Sequence, residues 1–255
     1  MQRWLCLAIL VLLFSGCSWG KYSISKQEYQ SRVQVLGVLP VLIDRAGALE
    51  HPQKEALYDL LTRSVLGKHE ILVERLRKKK GYFDVRVLPG STDLIALSLL
   101  SGEESRDEDG RPRGYLFNPE SVAELTQRNV VDALLVVVFS GAQVEETRRS
   151  RTLLETLKTR YNDILATAVV IDRDGQVLWR LTDLDSYRVL MLQYPDFDEA
   201  YYNQTDLVQV KNISWFGIEK ALEARPSDRE QIGLPETYDK LFDRIVSGIS
   251  PSLFD

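Results

Sequence analysis

The chain alternates between short, nearly continuous apolar runs and longer stretches with helical spacing. Apolar runs bounded by glycine, proline or charged turns are typical of strands buried on both faces of a sheet. Apolar residues three and four positions apart are typical of helices that pack on such a sheet. The pattern predicts a single α/β domain, with a central mixed β-sheet flanked by helices and with a C-terminal hairpin and helix. The predicted strands are Arg32–Ile43, Tyr82–Leu88, Val130–Phe139, Ile164–Ile171 and Gln176–Leu181.

Helical periodicity recurs between these strands. Gly67 is expected to divide the first helical stretch in two, because glycine is a common helix stop. Residues 142–161 remain open: Leu153, Leu154 and Leu157 could share one helix face, or the stretch could be a long hairpin connection. The predicted helices are His51–Lys80, Thr92–Leu100, Asn118–Asn129, Ile213–Ala224 and Pro235–Ile249.

The N-terminus has the three parts of a secretory signal peptide. Arg3 supplies a positive start, Leu5–Phe14 is an apolar run, and small residues follow it. The run is about half of the roughly 20 apolar residues that a spanning helix needs. A secreted protein cut after Gly16 and an uncleaved anchor are the alternatives to a lipidated protein.

Phe14-Ser15-Gly16-Cys17 resembles the lipobox of bacterial lipoproteins, with Phe14 where leucine is usual. The resemblance implies that the Cys17 thiol takes a diacylglycerol, that cleavage precedes Cys17 and that the new amine is acylated with a fatty acid such as palmitate. Ser18, rather than aspartate, favours the outer membrane. The predicted divisions are a signal peptide at 1–16, a lipidated cysteine and tether at 17–31, and an α/β periplasmic domain at 32–255.

The predicted tether is polar and has no apolar period. Its fourteen residues after Cys17, from Ser18 to Ser31, would reach at most about 45–50 Å when extended. The domain is therefore expected to sit clear of the lipid surface.

Composition narrows the possible partners and cofactors. The net charge is −5 at pH 7, which does not favour binding to nucleic acid or to anionic lipid. The two cysteines are Cys6, which leaves with the signal, and Cys17, so the domain has no thiol for a disulfide or a metal site. His51 and His69 are far apart and make no zinc-binding spacing. The sequence predicts no cofactor and no metal.

One stretch combines aromatic rings with acids. Four acids, Asp196, Asp198, Glu199 and Asp206, lie near the aromatic residues, which are candidates for contact with an envelope protein partner. The alternative is a loop whose rings pack on the core while its acids face water. Paired carboxylates also leave an envelope hydrolase open, although no catalytic motif is found. The candidate contact residues are Tyr194, Phe197, Tyr201 and Tyr202.

The order of strands and turns resembles a group of bacterial lipoproteins with a compact α/β domain. This group includes the curli-secretion channel lipoprotein and the lipoprotein activators of penicillin-binding proteins. The resemblance implies a role in binding other proteins, or in an oligomeric pore, and implies no catalytic residues. The segments that carry it are Val35–Val41, Gly81–Pro89, Val131–Val138 and Val169–Arg180.

The sequence as a whole predicts an outer-membrane lipoprotein that faces the periplasm. Its expected role is protein binding or assembly in the cell envelope, without enzymatic activity. An oligomeric secretion or pore subunit is the first alternative and the envelope hydrolase is the second. The channel members of the group add long membrane-crossing hairpins. The sequence shows no alternating segment as long as the roughly 9–11 residues that each lipid-facing strand requires.

Overall fold

The computed structural model describes residues 20–79, 81–205, 207–223 and 234–249. The signal peptide predicted at 1–16, and Cys17 itself, lie outside these residues. The strands are β1 (Lys21–Tyr22), β2 (Val35–Val38), β3 (Leu42–Asp44), β4 (Asp84–Val87), β5 (Leu100–Glu103), β6 (Tyr115–Phe117), β7 (Ala133–Arg149), β8 (Thr156–Asp172), β9 (Val177–Leu181), β10 (Tyr187–Met191), β11 (Gln193–Pro195) and β12 (Val210–Asn212). The helices are α1 (Lys26–Arg32), α2 (Lys54–Ser64), α3 (Lys68–Lys79), α4 (Thr92–Leu99), α5 (Pro119–Asn129), α6 (Phe197–Tyr202), α7 (Trp215–Leu222) and α8 (Glu236–Ile249).

In the described part of the chain, eight strands form one mixed sheet. Its main path follows the order β1-β9-β8-β7-β2-β4, with β10 beside β8 and β3 beside β7. Strands β2, β3, β4 and β7 pair in parallel, whereas β7, β8 and β9 form an antiparallel meander. Helices cover this sheet, so the predicted α/β class with a central mixed sheet is confirmed.

Strand β7 shows why its apolar run is continuous. Leu135, Val137 and Phe139 point into a core beneath the helices α2, α3 and α8. Leu134 and Val136 point into a second core beneath α4 and α5. Since both faces of the strand are covered, every position must be apolar, as in buried parallel sheets.

Most predicted elements are present, with boundaries set by local chemistry. Gly67 has a φ of +70° and separates α2 from α3, as predicted. Helix α8, predicted at Pro235–Ile249, buries one stripe of side chains: Tyr238, Leu241, Phe242 and Ile245. The strand predicted at Arg32–Ile43 is divided into β2 and β3, and its first residue, Arg32, belongs to α1. Pro40 lies in the gap, where its lack of an N–H interrupts the ladder.

The predicted tether is wrong from residue 20 onward. Strand β1 pairs with β9, and α1 follows it after a cap at Ser25, whose hydroxyl accepts from the Glu28 N–H. Tyr29 on α1 is fully buried, and its hydroxyl lies 2.7 Å from the hydroxyl of Tyr82. This polar stretch forms a short helix that buries a single aromatic residue. One buried residue gives no apolar periodicity, so the sequence pattern did not indicate the helix.

Replacing Tyr29 with phenylalanine should lower the free energy of unfolding by about 1 kcal/mol. The substitution removes the hydroxyl contact to Tyr82, while Tyr82 keeps its bond to the Ile249 carbonyl, 3.0 Å away. Chemical denaturation measures the change. Tyr202→Phe, at an exposed position, serves as the control with no expected change. An equal effect of the two substitutions would show that α1 does not anchor the N-terminal segment.

The stretch at 142–161 is a hairpin rather than a helix. Strands β7 and β8 pair in unbroken register from Ala133 with Asp172 to Arg149 with Thr156. Each strand has 17 residues, or about 55 Å at 3.3 Å per residue. The pair therefore extends beyond the sheet, and its outer portion carries the leucines that suggested a helix.

Candidate functional site

The outer part of the β7–β8 hairpin and the helix α6 lie side by side at one end of the molecule. The last fully buried pair of the hairpin is Val144 with Tyr161. Beyond it, the strands continue to a turn between Ser150 and Glu155. Residues 149–160 are called the hairpin end below. The structure thus brings together two segments that are about 40 residues apart in the sequence.

The turn of the hairpin end is fixed by one serine. The Ser150 hydroxyl accepts from the Glu155 N–H at 3.2 Å and lies 3.0 Å from the Thr152 hydroxyl. Leu153 has a φ of +62°, a left-handed conformation that is unfavourable for a non-glycine residue. The turn directs Leu153 and Leu154 into solvent, with 66% and 87% of their surface exposed. These are apolar side chains that fold stability does not require at this place.

Four charged side chains fasten the base of this outer part. Asp163 on β8 is fully buried, and both of its carboxylate oxygens accept from the Arg148 guanidinium at 3.0 Å. Arg188 on β10 forms an ion pair with the same carboxylate at 2.8 Å. Glu146 pairs with both arginines. Two arginines and two acids thus compensate one another, as buried charges must.

The surroundings of Asp163 have two opposite effects on its pKa. Burial raises the pKa of Asp163, while the charges of Arg188 and Arg148 favour its carboxylate form. The guanidinium of Arg148 also lies 3.9 Å from the ring centre of Tyr161, in cation–π contact. Arg148 further donates to the Gln193 carbonyl on β11, so the same group joins the hairpin to the segment that leads into α6.

The four predicted contact residues fall into different environments. Tyr201 and Tyr202 at the end of α6 are 76% and 81% exposed, and their rings form an edge-to-face pair with centres 5.8 Å apart. Tyr194 on β11 is partly exposed. Phe197 is only 6% exposed, so its prediction as a contact residue is wrong. It lies at the start of α6 and faces inward with Ala200, one helical turn later.

The acids near α6 are each engaged by a base. Asp196 caps α6 by accepting from the Glu199 N–H at 3.0 Å, and its other oxygen lies 2.8 Å from the Lys211 ammonium. Glu199 also pairs with Lys211. Asp198 lies 3.3 Å from the guanidinium of Arg151 in the hairpin end. These contacts position α6 and its tyrosines against the hairpin end, and they do not form a free carboxylate pair.

A cleft of about 600 Å³ lies between α5 and the β8–β9 turn. Its Asp132 carboxylate accepts from the backbone N–H groups of Gln34 and Val35, at 3.0 and 2.8 Å, and lies 3.2 Å from Arg173. That carboxylate joins β2 to β7. Val130, at the rim, has a φ of +52°. The residues that line the cleft are Val35, Ala123, Thr126, Gln127, Val130, Val131, Asp132, Arg173 and Asp174.

The described residues contain neither a candidate metal site nor a membrane-spanning helix. Among residues 20–79, 81–205, 207–223 and 234–249, no group of three or more histidine, cysteine, aspartate or glutamate side chains is arranged to hold a metal ion. No helix in that same part of the chain has the length and apolar character needed to cross a membrane.

The sequence indicated the tyrosines but did not decide the structure of the neighbouring hairpin end. It left residues 142–161 open between a helix with Leu153, Leu154 and Leu157 on one face and a long hairpin connection. The signal for a hairpin was weak, since the outer strands carry charged or polar side chains on both faces. Going outward along the hairpin, Val144 and Tyr161 are the last cross-strand pair with two buried apolar or aromatic side chains.

Comparison with solved structures finds similar folds at low sequence identity. No protein-family model matches the sequence, and no curated protein sequence matches it. A crystal structure of a Helicobacter pylori protein, described as a homolog of a neuraminyllactose-binding hemagglutinin, aligns with 11% identity and a TM-score of 0.33. The alignment covers 84% of this chain and 81% of that one. Lipoprotein GNA1162 from Neisseria meningitidis aligns with 17% identity and a TM-score of 0.25, over 60% of this chain and 81% of that one. Neither is described as a curli-secretion or penicillin-binding-protein-activator protein, so that finer resemblance stays a prediction.

Proposed function

We propose that this protein is a lipid-anchored binding protein of the bacterial cell envelope. Cys17 carries the lipid, and the tyrosine pair, Tyr201 and Tyr202, contacts an envelope protein partner. The exposure of two adjacent aromatic rings on a helix that is fixed in place carries the proposal. Tyrosine is enriched at protein interfaces because its ring buries a large area with little loss of conformational entropy.

The support of α6 favours recognition by a preformed surface. The helix is held at its start by the Asp196 cap, by the pairs of Asp196 and Glu199 with Lys211, and by the burial of Phe197. A partner that binds the tyrosine pair therefore does not have to order the helix first, which lowers the cost of association. Acids beside the rings would favour a partner with basic groups at the rim of the contact.

The two alternatives receive less support. The outer part of the hairpin carries polar groups on both faces, which does not favour the pore alternative. A hydrolase needs two carboxylates free to exchange protons. The acids near α6 pair with bases, and Asp132 in the cleft is bonded to backbone N–H groups. We therefore propose binding rather than catalysis or pore formation.

A Tyr201→Ala/Tyr202→Ala variant should lose most crosslinks to its partner in intact cells. Loss of two aromatic interface residues typically weakens binding by more than about 1 kcal/mol each, which is at least tenfold in affinity for the pair. In-cell crosslinking of the tagged protein, followed by mass spectrometry, measures the loss.

The matched control is Leu94→Ala/Leu97→Ala, which removes two exposed apolar side chains from α4. Thermal unfolding should be unchanged in both variants, because all four residues are exposed. If the tyrosine variant keeps the wild-type crosslinks, or if the α4 variant loses the same ones, the tyrosine pair is not the partner-binding surface.

A further inference from the structure

The chain enters the domain from a defined direction. Strand β1 runs parallel to β8 in direction, because each is antiparallel to β9. Lys21 lies at the level of Arg180, and Arg180 lies at the level of Val169 on β8. Since β8 begins at the hairpin end, Lys21 lies at the end of β1 that faces the hairpin end.

The position of Gly20 confirms how closely the entering chain follows the sheet. Gly20 has a φ of +80°, and a Cβ built there would lie 2.5 Å from the Trp179 ring and 2.8 Å from the Arg180 carbonyl oxygen. The chain thus still lies against β9 one residue before β1.

The anchor point and the hairpin end differ greatly in their distance from Lys21. Cys17 precedes Lys21 by four residues, which span at most about 14 Å when extended. The thirteen residue steps on β8 from Val169 back to Thr156 span about 43 Å. With lipid on Cys17, which is part of the proposed function, the membrane surface lies close to Lys21, and the hairpin end extends about 43 Å from the level of Lys21 on the side that the N-terminal end of β1 faces.

The composition of the hairpin end suits a membrane surface. It carries four basic residues and one acidic residue, whereas the whole chain has a net charge of −5. Leu153 and Leu154 are exposed at its turn. Cations near apolar side chains are the combination by which peripheral segments bind lipid headgroups and the outer acyl region. The basic residues are Arg149, Arg151, Lys158 and Arg160.

The orientation of the hairpin follows from its polarity. If the strands stood perpendicular to the membrane, the hairpin would have to cross a hydrocarbon core of about 30 Å. The cross-strand pairs Glu145 with Arg160 and Thr147 with Lys158 make one face polar throughout. Glu146 and Arg148 place charges on the other face. The strands must therefore lie along the membrane surface, with only the turn leucines reaching into it.

We infer that the hairpin end is a second membrane contact, which binds the phospholipid headgroups of the membrane that holds the Cys17 lipid. Leu153 and Leu154 enter the outer acyl region, and the exposed Arg149 and Arg160 bind lipid phosphates, since Lys158 and Arg151 pair with Glu145 and Asp198. The contact fixes the orientation of the domain. It also places the tyrosine pair at the membrane surface, because α6 is joined to the hairpin end through Arg151 and Asp198.

The test uses a thiol as a unique label. Cys6 leaves with the signal and Cys17 is acylated, so Leu154→Cys gives the mature lipoprotein one free thiol for an environment-sensitive fluorophore. Leu97→Cys, on α4, is the matched control, since Leu97 is 83% exposed. Each lipidated variant is reconstituted into vesicles of phosphatidylethanolamine and phosphatidylglycerol, with and without brominated acyl chains. Circular dichroism checks that both variants fold.

We expect a blue shift at position 154 and a loss of its emission with brominated lipid, with neither change at position 97. Equal responses at the two positions, or no response at 154, would overturn the inference. A response at 154 that needs added envelope protein would assign the hairpin end to a protein partner and would overturn it as well. In these outcomes the proposed lipid anchor still stands if the variants pellet with the vesicles. Failure to pellet would count against the anchor itself.

Discussion

A Cys17→Ala variant is expected to lose all acylation and to leave the membrane fraction as a folded domain. Alanine has no thiol to accept a diacylglycerol, and several acyl chains on one residue supply the anchoring energy. A single chain binds membranes only with a constant of about 10⁴ M⁻¹, so removal of every chain should release the protein. Metabolic labelling with a palmitate analogue and fractionation of the cells measure the two effects.

Cys6→Ala is the matched control, because it removes the other cysteine from the part of the chain predicted to be cleaved. It should keep both the acyl label and the membrane fraction. Retention of the label by Cys17→Ala would contradict the lipobox assignment. If Cys17→Ala loses the label but stays in the membrane pellet, the uncleaved apolar run Leu5–Phe14 holds it there. That outcome would support the alternative of an uncleaved anchor.

The sheet was predictable because its strands are buried on both faces. Ala133–Phe139 and Val169–Ile171 are continuous apolar runs, and Asp172 joins β8 to β9 through a turn that its carboxylate stabilises. Gly175, with a φ of +81°, completes the turn. These features are local, so a single sequence reveals them. The helices α2 to α5, α7 and α8 were found because each buries one face at helical spacing, whereas α1 and α6 were not predicted.

The elements that were missed depend on contacts between distant residues. Tyr29 is buried because Tyr82 and helix α8 close over it, and nothing within Ser18–Ser31 indicates those neighbours. The outer hairpin is a strand pair because Arg148, Asp163 and Arg188 neutralise one another across three strands. Charge pairs of this kind replace the apolar alternation that sequence reasoning relies on.

The candidate surface was predictable in part. The density of tyrosines beside acids was visible in the sequence, and it selected Tyr201 and Tyr202. It could not separate these from Phe197, because the direction of each side chain depends on how α6 sits on the domain. The neighbouring hairpin end was not predictable as part of the same surface, since the contact of Asp198 with Arg151 joins residues 47 positions apart.

Loss of the buried carboxylate of Asp163 should strongly destabilise the domain. An Asp163→Ala variant leaves Glu146 as the one acid shared by Arg148 and Arg188, so one of the two positive charges is uncompensated, and Arg148 is only 10% exposed. Removing one partner of a buried ion pair typically costs about 3–5 kcal/mol, because the remaining charge is left uncompensated. The melting temperature should fall by roughly 10 °C, at about 2–4 °C per kcal/mol for a domain of this size.

The matched control is Asp198→Ala, whose partner Arg151 is 90% exposed. Exposed pairs contribute about 0–1 kcal/mol, so this variant should unfold almost like the wild type. Hydrogen exchange locates the effect: in Asp163→Ala, the amides of the outer hairpin and of β11 should exchange faster, because Arg148 bonds to both Asp163 and the Gln193 carbonyl. If exchange rises evenly over the whole sheet, Asp163 supports the core in general. If it rises only beyond Val144 and Tyr161, the ion group is what holds the hairpin end and the tyrosine pair in a fixed relation to the domain.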